Sequence, residues 1–204
     1  MTADEAGEAG KADATAGAAT PHRRLRADAQ RNEDRLLEAA AAAFSSVGAN
    51  ASVKDIARAA GVGVGTLYRR FPSKELLIEA TYQHEVRDLC GAALELSASR
   101  APENALRTWM ELFLDFMATK QGMADALRVV LTDENERLQT RARLAEAIDH
   151  LLAGAAGRSL IRPQTDARDV LMALGGISLI TASEGRSDLA ARLIDLLLHG
   201  ILAG

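Results

Sequence analysis

The hydrophobic positions of this chain fall at helical spacing almost from end to end. Leu36, Leu37, Ala40, Ala41, Phe44 and Val47 recur every three or four residues as one apolar stripe, which predicts a helix from about Asp28 to Val47. Gly48 stands where such a helix ends in a left-handed residue. Ser52, with Asp55 three residues on, reads as a capping box that opens a short second helix with Val53, Ile56, Ala57 and Ala60 on its inner face. Gly61-Val62-Gly63 makes a tight turn, with Gly61 left-handed and Val62 tucked inward. A third short helix, Val64 to Phe71, stops at Pro72, because the residue before a proline avoids the helical region.

The rhythm continues beyond. Ser73 caps a long helix to about Leu96, whose apolar set is Leu76, Leu77, Ala80, Val86, Leu89, Cys90, Ala93 and Leu94. Pro102 suits the first turn of the next helix, which gathers Trp109, Met110, Phe113, Leu114, Phe116 and Met117. Met123, Leu127 and Val130 lie on a short helix after it, and a charged helix covers Glu134–Ala156. The last two helices, starting after Thr165 or Asp166 and near Asp188, are apolar over broad faces. The expected fold is all-α: a three-helix head over residues 21–75 and a helical body over 76–204. Residues 1–20, rich in Ala, Gly, Thr and acids without apolar periodicity, are expected to be a disordered tail.

Two short helices joined by a glycine turn and braced by a longer one form a helix-turn-helix, whose second helix enters the DNA major groove. The residues of that helix suit the task. Gly65 has no side chain, so the backbone can approach DNA closely. Thr66 and Tyr68 carry hydroxyls for phosphates, Arg69 and Arg70 supply charge, and Lys74 opens the next helix beside them. Leu67 and Phe71, four apart, face inward. Singly, the arginines read as a solvated face and Tyr68 as packing. The ordered set of capped helix, glycine turn, basic helix and proline stop is far more specific.

The stretch "SVKDIARAAGVGVGTLYRRFPSKELLIEA", Ser52 to Ala80, resembles the DNA-binding domain of the TetR (tetracycline-repressor) family of bacterial regulators. Gly61-Val62, Thr66-Leu67-Tyr68, Phe71 and Ser73-Lys74 carry the match, which covers about residues 28–80. The resemblance implies a homodimer with an N-terminal DNA-binding domain and a C-terminal domain that senses a small ligand. It implies that Ser52, Lys54, Thr66, Tyr68, Arg70 and Lys74 touch DNA, mostly phosphates, and that Val64 and Gly65 face bases. Those two have no hydrogen-bonding side chain. Base readout then falls to Arg69, with Arg24 and Arg26 of the "HRRLR" arm in the minor groove.

Charge fits a DNA-binding head only once it is divided along the chain. The net charge is −4, yet residues 21–79 hold ten basic and seven acidic residues, a basic head on an acidic body. Cys90 is the only cysteine, so no intrachain disulfide or Cys-x-x-Cys site exists, and it reads as inert core. The longest uncharged apolar run, Val170 to Ser183, is shorter than the ~18–20 residues of a membrane span. A soluble cytosolic protein without cofactor is expected.

Aromatics are 3% of the chain, so their gathering between Trp109 and Met117 needs a reason. Ordinary core is one. A pocket wall is the other, with Trp109, Met110, Phe113, Met117, Met123 and Leu127 around a largely apolar small molecule. Tyr82, His84 or His150 would supply polar contacts, while Arg137, Arg141 and Glu146 read as the wet side of their helix. The final two helices expose more apolar surface than one chain of this size covers. Leu171, Leu174, Gly175, Leu179, Leu189, Leu193 and Leu197 are therefore expected at a two-fold, four-helix dimer interface. Gly175-Gly176 costs helix stability, about 1 kcal/mol per glycine against alanine, which points to close helix approach. The resulting reading is a ligand-responsive repressor. A helical-bundle enzyme is disfavoured because His-Glu-x-x-His, Gly-Lys-Ser and Glu-x-x-His patterns are all missing. The basic helix speaks against an interaction protein without DNA function.

Overall fold

The computed structural model describes residues 21–156, 160–182 and 187–203, with the side chains of 21–28 and 187 left out. The expected tail, 1–20, lies outside the described residues. Among the described residues nine α-helices follow in order: α1 Pro21–Val47, α2 Val53–Ala59, α3 Val64–Arg70, α4 Lys74–Ser99, α5 Pro102–Gly122, α6 Ala124–Val130, α7 Glu134–Ala156, α8 Ala167–Thr181 and α9 Ser187–Ile201. The 3-10 turn Gly48–Asn50 joins α1 to α2. The all-α architecture expected from the periodicity is therefore present, with one difference at the start. α1 begins seven residues before Asp28, with Pro21 in its first turn, where a proline costs no hydrogen bond.

One apolar core runs through the described residues, from Leu36 and Phe44 of α1 to Leu198 and Ile201 of α9. Helix α4 is its spine: α1, α5, α6 and α7 all pack on it. Helix α5 lies beside it, and the rings of Tyr82, Phe116, Phe113 and Trp109 form a ladder between the two, with centroids 5.9, 6.1 and 5.9 Å apart. Trp109 is fully buried, and its indole N–H donates to the Leu89 carbonyl at 2.8 Å. Three residues expected inside are exposed: Val47, Leu76 and Leu94. Leu76 and Leu94 each adjoin a fully buried residue, Leu77 and Ala93, and a step of one residue turns the side chain about 100° away from the core. Val47 is the last residue of α1, one turn beyond the buried Phe44.

Cys90 is half-buried, and its thiol donates to the Arg143 carbonyl at 3.7 Å. Burial pushes its pKa up, which suits an unreactive packing residue. Asp166 caps α8 through a bond accepted from the Arg168 amide at 2.7 Å. At the chain's end, the Arg162 amide donates to the Ile201 carbonyl and the Ala203 amide to Leu160, each at 2.9 Å, tying the 160–162 segment to α9.

The head and body meet at the ends of α1 and α5. A Cβ at Gly122 would fall inside the van der Waals envelope of the Phe44 carbonyl oxygen, and one at Gly48 would lie 3.2 Å from the Gly122 carbonyl oxygen. Backbone thus packs on backbone. Gly122→Ala should cost about 1–3 kcal/mol in urea unfolding, because main chain rather than a flexible side chain must move. Gly91→Ala, in the middle of α4 with open space around its Cα, is the control. It should be neutral or stabilising by up to about 1 kcal/mol. Equal behaviour of the two variants would contradict a tight α1–α5 junction.

Candidate nucleic-acid interface and ligand cavity

The turn between α2 and α3 is built from its glycine. Gly61 has φ +69°, a left-handed residue just past the helix end. The Val62 amide donates to the Ala57 carbonyl at 2.9 Å and the Gly61 amide to the Arg58 carbonyl at 3.1 Å, the paired bonds of a Schellman motif. Val62 is half-buried and packs on the core. The Leu67 amide bonds the Gly63 carbonyl at 3.1 Å, which starts α3. Leu67 and Phe71 are buried. Phe71 leaves the helical region with ψ 89°, as the proline after it requires. One expected device is missing: Ser52 is at the N-cap of α2, but its hydroxyl makes no cap bond, and Asp55 pairs with Arg58 at 2.8 Å instead.

This construction leaves one face of α3 in solvent. Gly65, Thr66, Tyr68 and Arg69 are exposed, as are Ser52 and Lys54 on the neighbouring α2 segment. Gly65 has nothing within 4 Å of a built Cβ, so its bareness serves no contact inside the chain. Arg69 donates to the Thr66 hydroxyl at 3.3 Å, and among the described residues neither it nor Lys54 pairs with a carboxylate. Val64 is half-buried against the core. Two cations have work inside the head. Arg70 Nη2 lies 2.7 Å from both carboxylate oxygens of Glu33, tying α3 to α1. Lys74 Nζ donates to the Ala51 carbonyl at 2.7 Å, holding the loop before α2. The side chains of Arg24 and Arg26 lie outside the described residues, while their backbone is part of α1.

The body holds a cavity of about 390 Å³ between α4, α5, α7 and α8. Tyr82, Phe113, Phe116, Met117, Leu144 and Leu171 make its apolar wall, and Gly175 and Gly176 widen it on α8. Of the expected pocket residues, Phe113 and Met117 line it. Trp109, Met110, Met123 and Leu127 do not: all four are buried in solid core. Among the polar candidates Tyr82 alone lines the cavity. His84 is buried toward α1, with Asp88 3.0 Å and Asp34 4.0 Å from its ring, and His150 is exposed on α7. Lys120, Arg137, Thr140 and Arg141, with Met172 and Leu179 of α8, complete the lining. Arg137 and Arg141 are exposed, as expected of a wet face, but they stand at the cavity's edge. Among the described residues the Gly175-Gly176 pair meets no neighbouring helix, since a Cβ at either would face open space.

On the outside of α8 and α9, Met172 is 73% exposed, Leu179 69% and Leu196 70%. A groove of about 630 Å³ runs between the two helices, floored by Val170, Ile177, Leu193 and Leu197 and edged by Arg162, Asp166 and Asp169. Leu189 is half-buried nearby, whereas Leu174 is fully buried within the chain and belongs to its core.

A family model of bacterial regulatory proteins of the tetR family matches residues 36–81, and one of the SbtR-like transcriptional regulator C-terminal domain matches residues 101–203. The crystal structure of a TetR transcriptional regulator from Streptomyces coelicolor is 41% identical, covers 83% of this chain and 97% of its own, and superposes with a TM-score of 0.77. The chain belongs to the TetR family. A TetR regulatory protein from Mycobacterium vanbaalenii is 30% identical over 88% of this chain and 99% of its own, with a TM-score of 0.71. The protein is thus a DNA-binding transcriptional regulator.

For a TetR-family chain, the cavity is the part that sequence reasoning located least well. Lys120 follows the aromatic cluster directly and was available as a signal. Arg137 and Arg141 lie one helical turn apart on one face of α7, and like charges at that spacing repel. Among the described residues no group of three or more His, Cys, Asp or Glu side chains is arranged to hold a metal ion, and no helix is long and apolar enough to cross a membrane.

Gly65 gives a test with opposite signs for folding and binding. Gly65→Ala adds a methyl in open space within a helix, so it should raise stability by about 0.5–1 kcal/mol. The same methyl stands on the exposed face of α3, so affinity for operator DNA in a gel shift should fall. Unchanged affinity would separate Gly65 from the DNA face.

Proposed function

We propose that this regulator is a homodimeric repressor, released from its operator when a small molecule with a largely apolar body occupies the cavity between α4, α5, α7 and α8. The observation that carries this is the course of α4. It starts at Lys74, directly after the recognition helix, and reaches the cavity at Tyr82. Eight residues of helix span about 12 Å. A ligand that prefers one tilt of α4 thereby prefers one placement of α3. Affinity for DNA then changes by the ligand's differential affinity for the two arrangements, typically ~1–3 kcal/mol.

Thr66, Tyr68, Arg69, Ser52 and Lys54 are the proposed DNA contacts, with Gly65 and Val64 nearest the bases and Arg24 and Arg26 reaching the adjacent minor groove. Arg70 and Lys74 are proposed to meet phosphate as well, through the parts of their cationic heads left open by Glu33 and the Ala51 carbonyl. The second copy is proposed to pack on the α8–α9 face, using Leu171, Gly175, Leu179, Leu189, Leu193 and Leu197 with the exposed Met172 and Leu196. Such a dimer would set its two recognition helices about 34–36 Å apart, or a multiple of that, to reach successive major grooves. The proposed place of action is the cytoplasm, where the operator is.

Three measurements test this reading. Lys54→Ala should weaken binding similarly on every DNA sequence and lower the slope of log affinity against log salt by about one unit. An unchanged slope would remove Lys54 from the phosphate contacts. Leu196→Arg changes a side chain exposed in the single chain, so the fold should survive while light scattering reports a monomer and operator affinity drops. A variant that stays dimeric puts the interface elsewhere. Deleting the gene should raise transcripts next to its mapped binding sites; a fall would make the protein an activator.

A further inference from the structure

The cavity's charges are of one sign. Lys120 from α5 and Arg137 and Arg141 from α7 all line it, and among the described residues no acidic side chain does. Among the described residues none of the three takes part in an ion pair. Lys120 is half-buried over the face of Tyr82, with its ammonium 5.7 Å from the ring centroid. Burial, and after it the nearby Arg141, pull the Lys120 pKa down. A half-buried cation next to a second cation is an unfavourable arrangement without a counter-charge. Arg137 and Arg141 add the like-charge repulsion of one helical turn. An anion seated between Lys120 and Arg141 would reverse both costs. Two hydroxyls stand beside them, those of Thr140 and Tyr82; both residues are buried, and burial pushes the Tyr82 phenol up in pKa. The rest of the wall, from Phe113, Phe116, Met117 and Leu144 to the leucines, methionine and glycines of α8, offers no polar side chain.

We propose that the effector is an amphipathic anion: a carboxylate or comparable acidic head held by Lys120, Arg141 and Arg137, on an apolar body lying against Phe113, Phe116 and Met117. This rests on the reading of the cavity as the effector site and narrows its ligand class. A neutral apolar molecule would leave the cations unpaired, and a cationic one would add to the repulsion. The cavity's volume of about 390 Å³ suits a body of modest length. It is near the lower end of the ~300–1,000 Å³ usual for small-molecule sites.

Decanoate, decan-1-ol and decyltrimethylammonium share one apolar chain and differ in the charge of the head. Titration calorimetry on the full-length protein should show decanoate binding about tenfold or more tightly than decanol, and the ammonium compound weakest. Lys120→Met, which keeps the length of the side chain, should bring decanoate down to the level of decanol and leave decanol within about twofold of wild type. Arg141→Gln, at an exposed position, should weaken decanoate in the same direction and guards against a folding defect in the first variant. Met117→Trp, which places a larger side chain into the cavity, should abolish binding of acid and alcohol alike. Equal affinity for decanoate and decanol, both lost in Met117→Trp, overturns the anionic class while leaving the cavity as the effector site. Decanoate binding that survives Met117→Trp overturns the cavity assignment itself, and binding of neither molecule overturns the amphipathic-anion proposal.

Discussion

Helix α4 has to satisfy two sites with one rigid rod. Its first turn is fixed from three directions: Pro72 ends the preceding segment, the Ser73 hydroxyl accepts from the Leu76 amide at 3.3 Å, and Lys74 donates to the Ala51 carbonyl at 2.7 Å. Two turns later Tyr82 faces the cavity and packs tilted against Phe116, while Thr81 and His84 are buried around it. A helix held this closely at one end and packed this tightly along its side does not bend gradually. Close-packed interfaces shift between discrete arrangements, and in the proposed switch a small change near Tyr82 would move the recognition helix as a unit. Everything else in the head is arranged to keep α3 attached to that rod. The Schellman turn fixes α3 to α2, and the Arg70–Glu33 pair fixes it to α1.

A second physical link runs beside the first. The end of α5 meets the end of α1 through backbone at Gly122 and Phe44, with no side chain between them to yield. Helix α5 also carries Phe113, Phe116, Met117 and Lys120 of the cavity. The head is therefore tied to the cavity wall twice, by continuity of the chain through α4 and by close packing through α5. The two routes differ in what they transmit. In the proposed switch α4 would tilt about its capped start, whereas the Gly122–Phe44 contact resists any motion that brings α1 and α5 closer together.

The head was legible in the sequence because its determinants are local. A left-handed Gly61, an inward Val62, a proline stop and a serine cap act within four or five residues of where they stand, so the sequence alone places α2, α3 and the start of α4. The cavity was not legible for the opposite reason. Trp109 and Phe113 share one face of α5, and nothing within α5 tells which ring meets Leu89 in solid core and which borders empty space. That depends on α7 and α8, tens of residues away. Arg137 and Arg141 show the same limit: the pattern along α7 marks them as solvated, which they are, but only the packing of α7 on α4 and α5 brings them to a cavity mouth. The free hydroxyl of Ser52 is a smaller case. A serine followed by an acid three residues on satisfies the capping pattern, yet Asp55 is drawn to Arg58, and that choice is made by side chains rather than by spacing.

Helix α8 gives the last constraint, because it has two faces to satisfy. Leu171, Met172, Gly175, Gly176 and Leu179 line the cavity, and Met172 and Leu179 are also among the most exposed apolar residues of the molecule. A buried wall made of exposed leucine and methionine is incomplete in the single chain. The double glycine fits the same view. Its cost in helix stability brings no close contact among the described residues, and it keeps both the cavity and the outer surface of α8 low. In the proposed dimer a second copy would cover this surface, so the outer wall of the effector site and the dimer interface would share residues. An effector that presses on α8 from within would then act on the spacing of the two recognition helices from both ends of the body, through α4 in its own chain and through α8 against its partner.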